Sequence, residues 1–280
     1  MNCAGDAASI CEQIDKYVFK EQIDHRGSWK FYDETGLYES EDSQEVNTRS
    51  DIYLHKGDIT RRIFFSRYNK LTHLVRDPRK NLLFTVNRQS GSILKLNLND
   101  VKDGEKDTTH FPILTRIENA WHLSIYSNTD KRVVVCLSSI RFPPQTISYI
   151  EDDKILWKEE FHERILQTCV LNTFDIIAIK ESSIIKLSGK NGRRMKMIRS
   201  GFEDFHSACG VCSVPNGGFL VSDEHNRRIY SFSNDLQMIK ILHLDFKPTD
   251  IYISRQGELF IARGRRKPYV SMIYHLSQIR

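Results

Sequence analysis

The stretch SACGVCSVPNGGFLVSDEHNRRIYSF (residues 207–232) decides the predicted fold of this chain. A short apolar strand runs to Val214, a Pro-Asn-Gly-Gly turn follows, and a second strand covers residues 219–222. A polar corner through Arg227 then leads into a third strand over residues 229–232. This order of strands and turns is typical of one blade of a β-propeller.

The same order recurs along the chain. Residues 250–253, 259–262 and 272–276 repeat it directly after the opening stretch. The second strands of five such units are separated by 40, 43, 43 and 50 residues, counted from the markers Phe260, Leu220, Ile177, Val134 and Phe84. Four-stranded propeller blades have this period, and segments this short bury their faces only against neighbouring blades.

A sixth unit is predicted in residues 29–66, where 51–55 and 61–66 have the pattern of a third and a fourth strand. The fold class is therefore all-β, a propeller of four-stranded blades, with six blades favoured over five or seven. The last blade shows three strands before the chain ends at Arg280, so an early segment is expected to supply its fourth strand and close the ring.

Residues 1–28 form a separate N-terminal segment in this interpretation, and residues 29–280 form the propeller. Ile10, Ile14, Tyr17 and Val18 have helical spacing and predict a short helix. Residues 17–22 also have the pattern of a strand, which makes them the expected closing segment.

Composition limits the partners only mildly. The 41 basic and 36 acidic residues give a net charge of +5, which permits an anionic partner without requiring one. No apolar run is long enough to cross a bilayer, the N-terminus lacks the pattern of a secretory signal, and four of the six cysteines lie in apolar strand contexts. These features predict a cytoplasmic protein without a membrane partner.

Residues 214–232 resemble the NHL-repeat propellers, whose repeat has an Asn-Gly turn, a strand ending near Ser-Asp, and a polar corner that runs into Arg-Ile and an aromatic residue. Residues 77–96 and the C-terminal segment match this repeat in outline. The resemblance implies a propeller like those at the C-terminus of TRIM-NHL proteins, which bind single-stranded RNA or protein partners on one face. The sequence has no RING or B-box pattern, so ubiquitin-ligase activity is not implied.

The corners between second and third strands are expected to share one face around the central channel. They carry cationic and aromatic side chains, a combination that suits phosphates with unstacked bases or an acidic protein surface. Arg228 is interpreted as a packing residue. The predicted contact residues for single-stranded RNA or a protein partner are Arg88, Arg141, Phe142, Arg227, Arg263, Arg265, Arg266, Lys267 and Tyr269. Acidic turns such as 151–153 and 233–235 are expected at the opposite side.

Three other groups of residues are candidates for metal binding, redox chemistry or catalysis. Cys209 and Cys212 form a Cys-X-X-Cys inside a predicted strand, where residues three apart point to opposite faces, so neither a metal site nor a redox site is predicted. The alternative function is a calcium-dependent hydrolase of the lactonase type, for which Asp223, Asn226 and Asp250 are candidates. A non-catalytic chain without cofactor is favoured, because Asp and Asn are also common turn residues.

Three histidines lie at or next to the start of predicted first strands, namely His73, His122 and His206. They could face the channel together. A histidine in such a strand is more often hydrogen-bonded within the core than bound to metal, so no metal site is predicted.

Overall fold

The computed structural model describes residues 17–25, 29–33, 36–42, 50–56, 59–66, 71–77, 80–87, 90–97, 113–138, 144–180, 182–199, 206–214, 217–253, 258–263 and 269–276. In chain order the strands are β1 Tyr17–His25, β2 Trp29–Asp33, β3 Gly36–Asp42, β4 Ser50–Lys56, β5 Ile59–Ser66, β6 Leu71–Asp77, β7 Leu82–Asn87, β8 Ser92–Asn97, β9 Ile113–Arg116, β10 Ala120–Ser127, β11 Arg132–Ser138, β12 Gln145–Glu151, β13 Lys154–Phe161, β14 Gln167–Val170, β15 Ile176–Lys180, β16 Ser183–Leu187, β17 Arg194–Arg199, β18 Ala208–Ser213, β19 Phe219–Asp223, β20 Arg228–Phe232, β21 Met238–His243, β22 Pro248–Ile253, β23 Leu259–Arg263 and β24 Tyr269–Leu276.

These strands form six antiparallel sheets of four strands each within the described residues. Sheets 1 to 5 each take four consecutive strands, from β2–β5 to β18–β21. Sheet 6 has the order β1-β24-β23-β22, so the early strand Tyr17–His25 pairs with the last strand of the chain. The predicted N-terminal contribution to the final sheet is thus confirmed.

The predicted second strands are confirmed as β7, β11, β15, β19 and β23. Strands β4 and β5 likewise correspond to the two strands predicted in residues 29–66. The strand predicted over residues 17–22 is confirmed as part of β1, where pairing with β24 satisfies the backbone. Tyr17 and Val18, which also fit the helical spacing, lie in this strand, and the rest of the predicted helix lies outside the described part of the chain.

The chain divides into two compact units. One contains Met1–His25 and Glu163–Arg280, and the other is Arg26–His162. In the first unit, one apolar cluster joins sheets 4 and 5 around Phe219, and another joins sheets 5 and 6 around Leu259. In the second unit, a cluster around Phe84 joins sheets 2 and 3. Within each unit, these neighbouring sheets therefore bury apolar faces against one another, as the repeat pattern predicts.

The first strand of four sheets carries a β-bulge near its start. The register shifts occur around His73 in β6, Trp121 in β10, Cys209 in β18 and Thr249 in β22. A bulge adds one residue to one strand and changes the direction in which the local side chains point. These bulges lie at the same end of each sheet as the corner between the second and third strands, where the candidate site is found.

Candidate functional site

The corner of sheet 5 is organised by Asp223, the last residue of β19. Its side chain is fully buried and accepts hydrogen bonds from the backbone N of His206 (2.8 Å) and from the backbone N and Nδ2 of Asn226 (both 3.1 Å). In sheet 2, Asn87 has the same place at the end of β7, and its Oδ1 accepts a hydrogen bond from the backbone N of Ser90 (3.3 Å). Asp and Asn stabilise such corners because their short side chains can accept backbone N–H groups two or three residues ahead.

Arg227 completes this corner in a left-handed backbone conformation, with φ of 54°. Its carbonyl oxygen accepts a hydrogen bond from the N of Leu244 (2.8 Å), and its exposed guanidinium Nη1 donates to the carbonyl oxygen of Asp245 (3.3 Å). A left-handed conformation is costly for a non-glycine residue, so surrounding contacts must hold it. These two bonds attach the corner to the connection between β21 and β22.

Arg263, at the end of β23, reaches the same connection from sheet 6. Its guanidinium carbon lies 5.6 Å from the ring centroid of Phe246, whose side chain is buried between sheets 5 and 6. Arg227, Asp245, Phe246, Lys247 and Arg263 therefore form one group, here called the corner cluster. Phe246 is the buried apolar residue of this cluster, and its other four residues are charged and exposed.

The structure thus brings together two of the predicted contact residues, Arg227 and Arg263. Tyr269 is the first residue of β24. The other predicted contact residues lie outside the described residues and stay predictions, namely Arg88, Arg141, Phe142, Arg265, Arg266 and Lys267. Sequence reasoning missed Asp245 and Phe246, because a short Asp-Phe-Lys connection between two strands has no distinctive pattern.

Arg228 behaves as a structural residue. Burial raises the pKa of the Tyr230 hydroxyl, and the charge of Asp223 raises it further, whereas hydrogen bonds with the side chains of Arg228 and Asn226 act in the opposite direction. The Tyr230 side chain is buried in the cluster between sheets 4 and 5. Arg228 therefore holds a core tyrosine, which agrees with its interpretation as a packing residue.

The first strands of sheets 4, 5 and 6 are linked through Gln167. Its Oε1 accepts a hydrogen bond from the N of Val211 (3.1 Å), and its Nε2 donates to Oδ1 of Asp250 (3.3 Å). Gly210 permits this approach, since a Cβ there would lie 3.0 Å from both the Cα and Oδ1 of Asp250. Oδ1 of Asp250 also accepts a hydrogen bond from the N of Ile251 (2.9 Å). Asp250, Asp223 and Asn226, the residues of the lactonase alternative, thus all take part in structural hydrogen bonds.

The expectation that Cys209 and Cys212 point to opposite faces is wrong, because the bulge at Cys209 changes the alternation. The Cys209 thiol lies 3.0 Å from the carbonyl oxygen of Pro248 in sheet 6, and Cys212 packs in the cluster that also joins sheet 6. Burial is the main factor that raises the pKa of Cys209 to about 12, so its thiol is protonated at neutral pH. A protonated thiol is a poor metal ligand and nucleophile.

The three histidines divide between the two units. The rings of His73 and His122 meet edge to face at 4.1 Å in the second unit, and Nδ1 of His73 accepts a hydrogen bond from the N of Leu123 (3.3 Å). His206 belongs to the first unit, where its ring lies 5.9 Å from that of His225. Burial, followed by the proximity of His122, holds the pKa of His73 well below its usual value.

The acidic turns 151–153 and 233–235 lie at the end of their sheets opposite the corners, as predicted, but basic residues also occur at that end. The turn between β16 and β17 carries the exposed Lys190 and Arg193. This turn is at the same end as residues 233–237 of sheet 5, because Nζ of Lys186 donates to the carbonyl oxygen of Asn234 (2.9 Å). Charge alone therefore does not single out one face.

The described residues lack two further kinds of feature. They contain no group of three or more His, Cys, Asp or Glu side chains placed to hold a metal ion. Nor do they contain a helix with the length and apolar character needed to span a membrane.

The comparisons with known proteins identify the fold. No family model and no curated protein sequence matches the chain. Among solved structures, BBS1N in complex with ARL6DN matches with a TM-score of 0.62 and 11% identity over 87% of this chain and 75% of that one. The fold is a β-propeller. The WD40 β-propeller domain of Doa1 matches with a TM-score of 0.57 and 11% identity over 94% of this chain and 97% of that one.

An enzyme is also among the similar structures. Luciferin-regenerating enzyme matches this propeller with a TM-score of 0.59 and 12% identity over 95% of this chain and 94% of that one. Identities this low show a shared fold and leave the function to be argued from the site.

Proposed function

We propose that this propeller is a non-catalytic binding platform for a protein partner, and that the corner cluster forms part of its contact surface. The observation that carries the proposal is the convergence of Arg227 and Arg263, from two neighbouring sheets, on the connection that contains Phe246. Exposed arginine over a buried aromatic side chain is typical of the residues that dominate protein interfaces. Arg265, Arg266, Lys267 and Tyr269 follow Arg263 in the sequence and belong to the proposed surface, together with Arg88, Arg141 and Phe142.

Two features of the corner cluster favour a protein over single-stranded RNA. Base stacking requires an exposed aromatic face, whereas the aromatic residue of the corner cluster, Phe246, is buried. Asp245, whose backbone oxygen contacts Arg227, is exposed, and its negative charge would weaken the attraction of this cluster for a phosphate chain. A protein partner with both carboxylates and amide groups fits this mixed surface better, and RNA binding is the competing outcome of the test.

Similar structures support the proposal as analogy. BBS1N was crystallised in complex with ARL6DN, which is a protein partner of that chain. The resemblance of residues 214–232 to NHL repeats is part of the same proposal, as are a cytoplasmic location and the division into residues 1–28 and 29–280.

The proposal is tested with peptides selected on the immobilised chain from a random display library. Their dissociation constants are then measured by fluorescence anisotropy for the native chain and for Arg227→Asn/Arg263→Gln. Asparagine tolerates the left-handed conformation at position 227, so the fold is expected to survive. We expect micromolar binding by the native chain and a loss of about tenfold or more in the variant.

The matched control is Lys154→Gln/Lys158→Gln, which removes two positive charges from β13 and should leave peptide binding unchanged. A 20-nucleotide poly(U) RNA is titrated in parallel at two salt concentrations. If the RNA bound with a steep salt dependence and no selected peptide depended on Arg227 or Arg263, the partner class would be wrong. A rise in melting temperature on addition of calcium, reversed by chelator, would instead support the lactonase alternative.

A further inference from the structure

The outer strands of five sheets contain a β-bulge, and three of these bulges expose a large apolar side chain. Strands β13, β17 and β21 each contain a β-bulge, at Leu156, Met195 and Ile239. Each bulged residue is a large apolar side chain exposed to solvent, by 54%, 58% and 37% respectively. The repeat thus places an apolar group at the same point of several outer edges, and the charges around it decide what each edge can bind.

The charge around β17 differs from that around β13. Strand β17 and its preceding turn carry Lys190, Arg193, Arg194, Lys196 and Arg199 and no carboxylate. Strand β13 carries two lysines and two glutamates, which balance. The β17 region, residues 190–199, is here called the basic edge.

The basic edge is firmly attached on one face and exposed on the rest. Ile198 packs against the core cluster between sheets 4 and 5, and Nζ of Lys196 donates to the carbonyl oxygen of Asp235 (2.6 Å). Arg194, Met195, Met197 and Arg199 are exposed. Burial lowers the pKa of nearby Lys180, and the charges of Arg194 and Arg199 lower it further, although Lys180 also contacts the carboxylate of Glu163.

The backbone of β17 is also suited to pairing. After the bulge, residues 196–199 are in regular register with Ser183–Lys186, and β17 is the last strand of its sheet. In an antiparallel sheet, alternate residues direct their N–H and C=O groups away from the paired strand. An outer strand therefore presents a row of groups that an added strand can use.

The charges also select the partner. A second copy of β17 would bring the same positive charges to the edge, and repulsion between like charges opposes such pairing. An extended segment with carboxylates would instead be attracted. Apolar side chains of that segment would contact the exposed Met195 and Met197, next to the carboxylates that reach Arg194 and Arg199.

We propose that the basic edge of sheet 4 is a second docking surface, which takes an acidic, extended protein segment as an added β-strand. The segment contributes backbone hydrogen bonds to residues 196–199, carboxylates to Arg194 and Arg199, and apolar side chains to Met195 and Met197. This surface is distinct from the corner cluster, which lies on sheets 5 and 6, so either site can fail without the other.

The test uses a fluorescein-labelled eight-residue peptide with the repeat Glu-Glu-Val-Val, which puts both residue types on each face of a strand. It is compared with the same peptide with Lys in place of Glu, and with the Glu–Val peptide N-methylated at alternate residues. Binding to the full chain is measured by anisotropy, and hydrogen–deuterium exchange of the chain is followed with and without peptide. We expect binding of the Glu–Val peptide alone and slower exchange in residues 196–199. N-methylation removes backbone donors without changing charge, so it separates strand addition from simple ion pairing.

Three variants locate the site. Arg194→Glu/Arg199→Glu should weaken peptide binding by about tenfold or more, since both contacts become repulsive. Lys154→Glu/Lys158→Glu on β13 makes the same charge change on another outer strand and should have little effect, as should Arg227→Asn/Arg263→Gln. Melting temperatures of all variants confirm that they remain folded.

Several results would overturn the proposal. They are absence of binding at about 1 mM peptide, equal binding of the N-methylated peptide, exchange protection away from residues 196–199, or an equal effect of the β13 variant. RNA binding that depends on Arg194 and Arg199 in place of peptide binding would also overturn it. None of these results bears on the corner cluster, whose test depends on Arg227 and Arg263.

Discussion

The two compact units use lysines at the same register position to join neighbouring sheets, but in different environments. Lys95 in β8 lies opposite Phe84 and donates to Asp153 of sheet 3 (2.9 Å), with 28% of its side chain exposed. Lys186 in β16 lies opposite Ile177 and donates to the carbonyl oxygen of Asn234 in sheet 5 (2.9 Å), with only 9% exposed. The repeat places a lysine contact between neighbouring sheets in both units, and the burial of that lysine determines how much the contact contributes to stability.

The acceptors differ as well. Lys186 contacts the carboxylate of Asp175 (3.2 Å), which also accepts hydrogen bonds from Thr173 and Gly189. Lys95 shares Asp153 with Arg132, a buried guanidinium that also lies 5.3 Å from the Phe84 ring centroid. In the second unit, therefore, the buried cation is Arg132 and not the lysine. We expect substitutions that disturb a buried cation to lower the free energy of unfolding most.

The largest effect is expected for Lys186→Ala. Removal of the buried ammonium leaves Asp175 without its cation and opens a gap at the contact between sheets 4 and 5. Breaking a buried ion pair in this way destabilises the fold by about 2–4 kcal/mol. Urea unfolding measures the loss, and Lys186→Met, which fills the gap, should recover part of it. If Lys186→Ala lowered the free energy of unfolding no more than truncation of an exposed lysine does, burial would not explain the difference between Lys186 and Lys95.

Asp153→Asn should have the next largest effect. The substitution leaves the guanidinium of Arg132 buried with a weaker acceptor, at a cost of about 1–3 kcal/mol. Burial alone would raise the pKa of Asp153, but its hydrogen bond with Lys95 and the charge of Arg132 outweigh burial and lower it. A carboxyl group whose pKa is lowered by folding stabilises the fold at pH values above its unfolded-state pKa of about 4. This stabilisation is lost as the pH falls through the folded-state pKa. The variant should therefore show a flatter acid-unfolding curve below about pH 4.

His73 predicts a second loss of stability as the pH falls, which begins at a higher pH than the loss from Asp153. The pKa of His73 is lowered in the folded state, so the unfolded chain binds a proton first, from about pH 6.5 downward. Stability is full above this value and decreases as pH falls, by up to about 1.4 kcal/mol per pH unit for one proton.

Urea unfolding at a series of pH values measures this dependence, with His73→Asn as the comparison. Asparagine suits the left-handed conformation at position 73, where φ is 52°. In the variant, the free energy of unfolding should depend less steeply on pH just below pH 6.5. For the unsubstituted chain, hydrogen exchange should show that the stability lost in this pH range is lost in residues 71–138. An unchanged slope would exclude His73 as its source.

The smallest effect is expected for Lys95→Met. Its ion pair is partly exposed, and such pairs contribute about 0–1 kcal/mol, so salt should reduce even this difference. Measured beside Lys186→Met, which makes the same replacement at the same register position, it isolates the effect of burial. A larger loss for Lys95→Met than for Lys186→Met would reverse the comparison.

Much of the fold was predictable because its signals are local. The second strands and their spacing follow from apolar runs bounded by turn residues, such as LLFTV at 82–86 and the Pro-Asn-Gly-Gly turn. Sequence also indicated that Tyr17 and its neighbours would complete the last sheet, because that sheet lacked a strand. The bulges were not predictable, since one extra residue leaves no mark on an apolar run, and this is why the orientation of Cys209 was predicted wrongly.

The candidate site was predictable only in part. Arg227 and Arg263 stood out because basic corner residues are visible in the sequence. Their shared contact with residues 245 and 246 was not visible, because it joins corners 36 residues apart in the chain through a connection of ordinary composition. The basic edge also escaped notice, since exposure of Met195 and Met197 depends on a bulge in β17.

The sequence by itself determined the type of strand, the repeat and its period, because apolar alternation and turn chemistry act over a few residues. Only the tertiary structure decided which charges are buried, which arginines converge and which apolar groups stay exposed. These properties depend on the register between strands and on the contacts between neighbouring sheets, where a single bulge or an adjacent carbonyl oxygen redirects a side chain.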